Sequence, residues 1–226
     1  MHHESKKLRL LAFGDSITEG YSKGGTLKHP YSIELQRLLD FHKYDAEVVE
    51  AGVSGERVVT GMTERLAGIL QNATAAGHQY DHLLLLGGVN DLFMETDTAS
   101  VFNGIVTMLR AAIANGMTVT VLTVMESAFI PLGSKQDEQR VVLNHRIRLV
   151  PAHPDFEKSV TVLDLDIGLP YKESNMAGFF DDGLHLTAGG YDWLGQLVYK
   201  SLLPELKKRN GHTRIFGGLC WILGCS

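Results

Sequence analysis

The 226-residue chain has two cysteines, six prolines and two tryptophans. Cys220 and Cys225 both fall within the last seven residues, so a bridge between them would staple only the tail, and no disulfide framework organises the rest. Positive charge is in deficit. Against 26 acidic residues stand 21 Lys and Arg, a formal net charge of -5, which leaves no basic footprint for nucleic acid. No Lys/Arg-rich block is present to dock on an anionic membrane. Long apolar runs are missing too. Leu8 to Phe13 is too short for a signal-peptide core, so the expected location is cytoplasmic. The apolar stretch Ile215 to Cys225 is too short to span a bilayer. His2-His3 is assigned no metal role. Neither a G-x-G-x-x-G nor a phosphate-binding loop follows the first strand, which argues against a nucleotide-binding protein. The G-x-S-x-G nucleophile elbow is absent as well.

Strand-like and helix-like patterns alternate. Short β-branched or leucine-rich runs predict strands at Leu8–Phe13, Glu47–Glu50, His82–Leu86, Thr118–Val124 and Val160–Leu163. Helical spacing of apolar residues predicts helices at Tyr31–Phe41, Met62–Ala75, Ala99–Ala114, Lys135–Val150 and Thr187–Lys208. Gly116 and Pro151 read as stop signals. Five such units imply an α/β fold, one parallel sheet with helices on both faces. Hydrophobic residues at 44% supply the core. The simplest organisation is one domain over residues 1–210 and an apolar tail over 211–226, of unassigned role.

In such sheets ligands gather beyond the carboxyl ends of the strands. Three polar features fall there. Ser16, in Gly14-Asp15-Ser16-Ile17, follows the first strand. Gly52, in Ala51-Gly52-Val53-Ser54-Gly55, follows the second. Asn90, in Gly87-Gly88-Val89-Asn90-Asp91, follows the third. Ser16 is either a helix cap or a nucleophile. A fourth feature, Asp182-Gly183-Leu184-His185, precedes the last helix. A histidine can take a serine proton near neutral pH, and a carboxylate three residues away can orient the imidazole. Equally, Asp182 or Thr187 could cap the helix and His185 lie idle at the surface. Oxyanion donors would be the backbone N–H groups of Ser16 and Gly52 and the side-chain amide of Asn90. Asp15 and Asp91 are expected to hold loops. His29, His42, His78, His82, His145 and His153 lack a comparable context.

The four blocks together resemble the SGNH hydrolases, also called GDSL esterases and lipases. Gly14-Asp15-Ser16 is similar to the first block, Gly52 to the second, Gly88-Val89-Asn90-Asp91 to the third, and Asp182 with His185 to the last. The resemblance spans Leu8 to about Leu203. It implies a three-layer α/β/α sandwich with a flavodoxin-like five-stranded parallel sheet. It also implies a Ser16–His185–Asp182 triad, an oxyanion hole from Ser16, Gly52 and Asn90, a small-molecule ester as substrate, and no metal or cofactor. The sequence departs from the family pattern at Glu50-Ala51, where Asn is often found. That change is expected to leave the Gly52 N–H free.

Phe93, Met94, Phe129, Ile130 and Pro131 fall near the same rim. They either line an acyl pocket or pack on the core. No long insertion suggests a lid, so short acyl chains, acetyl foremost, are the expected substrates. The same triad would serve a thioesterase or lysophospholipase, and a catalytically silent acyl-binding protein is the reading from another class. Oligomeric state is left open by the sequence.

Overall fold

The computed structural model describes residues 7–217, with side chains through Arg209 apart from those of residues 174 and 175. Cys220, Cys225 and most of the apolar tail lie outside the described residues. Five strands form where apolar runs were read: β1 (Leu8–Gly14), β2 (Ala46–Gly52), β3 (His82–Leu85), β4 (Thr118–Leu122) and β5 (Val160–Leu163). All pair in parallel, in the order β2-β1-β3-β4-β5. The three inner strands are buried almost throughout, while the outer two are partly open to solvent. That contrast shows in the sequence: His82–Leu85 has three leucines in a row, while the edge strand Ala46–Gly52 carries two glutamates.

Five long helices connect and close the sheet: α1 (Tyr31–Phe41), α2 (Thr63–Ala75), α3 (Thr98–Ala114), α4 (Lys135–Leu149) and α5 (Ala188–Gly217). The β1-to-β2 step runs opposite to the next three, so right-handed crossovers place α1 on one face and α2, α3 and α4 on the other. Accordingly α1 packs on α5, and α3 packs between α2 and α4. The result is a three-layer α/β/α sandwich with the flavodoxin-like strand order. Leu10, Leu11, Phe13, Leu83 and Leu84 from the sheet meet Tyr31, Leu35, Leu66, Leu109 and Tyr191 from the helices in the core.

Side-chain caps set several element ends. Asp97 accepts from Ser100 N–H at the start of α3, and Ser134 accepts from Asp137 N–H at the start of α4. β4 stops two residues before the expected Val124. There the Val124 N–H donates to the Asn144 side chain instead of a neighbouring strand. Pro151 does not simply stop a helix; it sits in a 3-10 turn over Val150–Ala152. Short elements escaped the sequence reading: a hairpin of Tyr21–Ser22 with Leu27–Lys28, a π turn at Val58–Met62, and helices at Ser16–Glu19 and Val89–Phe93.

The sheet register aligns the carboxyl ends that matter. Gly14 of β1 lies opposite Gly52 of β2, and Phe13 lies opposite Leu85 of β3. Strand order reverses around β1, which makes the crevice beyond β1 and β3 the topological switch point.

Candidate active site

β1 ends at Gly14, and the chain turns at once into the helix Ser16–Glu19. Asp15 caps that helix, its Oδ1 accepting from Ile17 N–H at 3.0 Å. Ser16 is the first helical residue and is 5% exposed. Its N–H belongs to the unpaired first turn of the helix and has no acceptor among the described residues. Gly14 does not have a positive φ, so an unusual backbone angle is not its role. A Cβ there would come within 2.5 Å of the Leu86 carbonyl oxygen, so glycine serves close approach between β1 and the segment after β3.

The far end of the chain supplies the partners of Ser16. An antiparallel bridge between Phe180 and Leu186 closes a tight loop over Asp182–His185. Within it Asp182 Oδ1 accepts from the N–H groups of His185 at 2.8 Å and Leu184 at 3.0 Å. Asp182 Oδ2 lies 2.7 Å from His185 Nδ1, and His185 Nε2 lies 3.0 Å from Ser16 Oγ. Gly183 holds a φ of 91°, where other residues would be strained. Burial works to raise the Asp182 pKa, but the His185 ring and the two loop N–H groups outweigh it and hold the carboxyl below its ordinary value. Thr187, not Asp182, caps α5: its Oγ1 accepts from Gly190 N–H.

Other residues fix this loop in place. The Tyr21 ring lies 4.4 Å from the His185 ring, centroid to centroid. Tyr191 on α5 donates to the Tyr21 carbonyl at 2.7 Å, and Lys23 N–H donates to Asp181. Ala128 N–H donates to the Gly183 carbonyl at 2.8 Å, tying in the loop after β4. No motif marked Tyr21 or Tyr191 beforehand.

Asn90 opens the helix Val89–Phe93 after Gly88, whose φ of 116° turns the chain out of the sheet. Its side-chain amide donates to the Glu56 carbonyl at 2.9 Å, leaving a second amide hydrogen available. Asp91 is fully buried and accepts from Val58 and Val59 N–H, which pins the π turn. Burial also pushes its pKa up.

Gly52 departs from expectation. β2 is the edge strand, and Val53 N–H donates inward to the Gly14 carbonyl. Successive N–H groups of a strand point to opposite sides, so that of Gly52 points to the open edge, where the Glu50 carboxylate accepts it. It is neither free nor directed toward Ser16. Glycine is needed at 52 because a Cβ would come within 2.2 Å of Glu19 N. Three residues on, Gly55 has a φ of 76° and an N–H with no acceptor among the described residues, and it adjoins the Glu56 carbonyl that Asn90 holds.

Of the apolar rim residues, Ile130 is core. Met94 and Phe129 are well exposed, and the Phe93 and Phe129 rings meet edge to face at 6.5 Å. A void of about 10 Å³ is lined by Asp15, Ile17, Val89 and Leu184 among others, and Ser16 does not line it. A larger groove of about 470 Å³ lies between α3 and the end of α4, and none of the site residues lines it. Among the described residues, no group of three or more His, Cys, Asp or Glu side chains is arranged to hold a metal ion. No described helix is long and apolar enough to cross a membrane.

Asp15 is the most perturbed carboxyl at the site. It is fully buried, its Oδ2 has no hydrogen-bond partner, and burial pushes its pKa up to about 7. Because the folded value is raised, the stabilisation is complete below about pH 4 and is lost as pH climbs toward about 7. Asp15→Asn keeps an oxygen for the Ile17 N–H and removes the titration. The melting temperature of the native protein should therefore fall relative to Asp15→Asn by several degrees between pH 4 and 7, and level off above. Parallel melting curves for the two proteins over that range would count against the assignment.

Comparison with known proteins places the chain in a family. The model of the GDSL-like lipase/acylhydrolase family matches residues 12–193. No curated protein sequence matches the chain. Among solved structures, the lipase/acylhydrolase from Enterococcus faecalis is 19% identical, with 86% of this chain and 95% of that one covered at a TM-score of 0.69. A carbohydrate acetylesterase family member from Sinorhizobium meliloti is 18% identical, with 88% and 99% covered at 0.68. The psychrotrophic esterase EstA from Pseudoalteromonas sp. is 16% identical, with 88% and 98% covered at 0.67. At such identities these likenesses speak for the fold, and the family match extends over most of the chain. The chain belongs to the GDSL-like lipase/acylhydrolase family and is, by that membership, a hydrolase of ester bonds.

Proposed function

We propose that the chain is a serine carboxylic-ester hydrolase of small, short-chain acyl esters, acetyl foremost. Ser16 is the nucleophile, His185 the general base and acid, and Asp182 the orienting carboxylate. The observation that carries this reading is the unbroken chain from Ser16 Oγ to His185 Nε2 at 3.0 Å and from His185 Nδ1 to Asp182 Oδ2 at 2.7 Å.

His185 takes the Ser16 proton as Oγ bonds to the acyl carbon. The carbonyl π electrons move onto oxygen, and the oxyanion is met by the Ser16 N–H, the free Asn90 amide hydrogen and the Gly55 N–H, which replaces the Gly52 donor expected from the sequence. The tetrahedral intermediate collapses, and the alcohol leaves with the proton held by His185. Water then attacks the acyl-enzyme by the same route and frees the acid. Asp182 stays ionised throughout.

The carbohydrate acetylesterase family member named above adds a fold-level analogy for an acetyl substrate. A series of p-nitrophenyl esters from acetate through butyrate and octanoate to dodecanoate tests the acyl preference. The expected kcat/KM is highest at acetate or butyrate. A maximum at dodecanoate would overturn the short-chain assignment.

A further inference from the structure

We propose that Arg65 is a positioning residue for catalysis, fastening the strand that carries the nucleophile to the loop that carries the oxyanion donors. The proposal rests on the esterase reading above. Arg65 stands near the start of α2, and nothing in the sequence pattern separates it from an ordinary surface arginine.

Its guanidinium is three-quarters covered and lies 4.0 Å over the ring of Phe13, the next-to-last residue of β1. Nη2 donates to the Gly14 carbonyl at 3.1 Å, two residues before Ser16. Nη1 donates to the Ala51 carbonyl at 2.9 Å, at the end of β2. Nε meets both carboxylate oxygens of Glu56 at 2.9 Å. Glu56 in turn gives its backbone carbonyl to Asn90. One planar cation therefore touches the end of β1, the end of β2 and the loop after β2, and through Glu56 it reaches the helix after β3.

These are the segments whose relative placement sets the oxyanion hole. Ser16 follows the carbonyl that Arg65 holds, Gly55 precedes the carboxylate that it pairs, and Asn90 leans on the same residue. The pairing also explains how a charged carboxylate is tolerated on this loop: Glu56 is only 13% exposed at its side chain, and Arg65 neutralises it. A lysine at 65 could pair with Glu56 but could not reach Gly14, Ala51 and Glu56 together, because its ammonium is a compact point charge without the planar fork. Oxyanion donors act only where charge develops, so their displacement lowers kcat more than it raises KM.

The test compares Arg65→Lys and Glu56→Gln with the native protein on p-nitrophenyl acetate. Turnover is normalised to sites titrated with a fluorophosphonate, and melting curves are recorded alongside. The expected result for Arg65→Lys is a fall in kcat of roughly 30- to 100-fold with KM changed less than about threefold. Glu56→Gln should fall in the same direction by about tenfold, since the amide oxygen retains one bond and loses the charge. Should Arg65→Lys not fold, Glu56→Gln decides alone. Native kcat in the folded variants, or a loss confined to KM or to melting temperature, overturns the proposal. A Ser16→Ala control that still turns over would instead overturn the esterase reading on which it rests, so the two failures are told apart.

Discussion

Ser16→Ala should lower ester turnover by roughly 10,000- to 1,000,000-fold while leaving the melting temperature nearly unchanged. The size follows from the role: without Oγ no acyl-enzyme forms, and only binding and the oxyanion donors remain to assist water. The small stability effect follows from the surroundings. Among the described residues Ser16 Oγ is hydrogen-bonded to His185 Nε2 alone, and the cap of the helix comes from Asp15, which stays. Alanine is also a better helix former than serine at the first helical position. Steady-state kinetics on p-nitrophenyl acetate with a thermal melt of the same sample checks both halves. Turnover within about tenfold of native by the folded variant would remove Ser16 from the mechanism.

Asp182→Asn should cost kcat about 10,000-fold, although Asp182 never touches substrate. The side-chain oxygen that accepts from Leu184 and His185 N–H can remain in asparagine, so the loop should keep its shape. At the other position an amide replaces Oδ2. It donates to His185 Nδ1 instead of accepting, which drives the ring proton to Nε2, the atom that must receive the Ser16 proton. The variant therefore has an intact fold and the wrong tautomer. Asp182 itself is held below the ordinary carboxylate range. Its contribution to stability is therefore present above about pH 4 and lost only as pH falls below the usual aspartate value. A native-like kcat for Asp182→Asn would show that the tautomer is set elsewhere.

Most of the fold was legible because the inner strands are buried almost throughout, so Leu8–Phe13 and His82–Leu86 are rich in leucine and Thr118–Val124 is rich in β-branched residues. The residues proposed as nucleophile, base and carboxylate stood out because each sits at a strand end or just before a helix, where chemistry gathers in this topology. Gly52 was expected to offer a free N–H, and its N–H is instead bonded to Glu50, for a physical reason. A glycine after a strand announces close packing or a turn, but not the side to which its N–H points. That depends on β2 being the edge strand and on Glu50 capturing the edge-facing donor. Gly55 lay in the same cluster, and only its backbone angle and unpaired N–H set it apart. Arg65 was invisible to periodicity, because its partners are carbonyls of Gly14 and Ala51, and carbonyls carry no sequence signal. Tyr21 and Tyr191 were hidden likewise, since a ring face and a backbone oxygen are what they offer.

The most direct measurement of the central claim is covalent labelling. An alkyl fluorophosphonate is added to the folded protein, and the adduct is located by peptide mass mapping. Ser16 Oγ forms a bond to phosphorus, fluoride leaves with the bonding electrons, and His185 takes the hydroxyl proton. One adduct per chain, on the peptide containing Ser16 and lost in His185→Ala, is the predicted result. Stoichiometric labelling at another residue, or none in protein that hydrolyses p-nitrophenyl acetate, would contradict it.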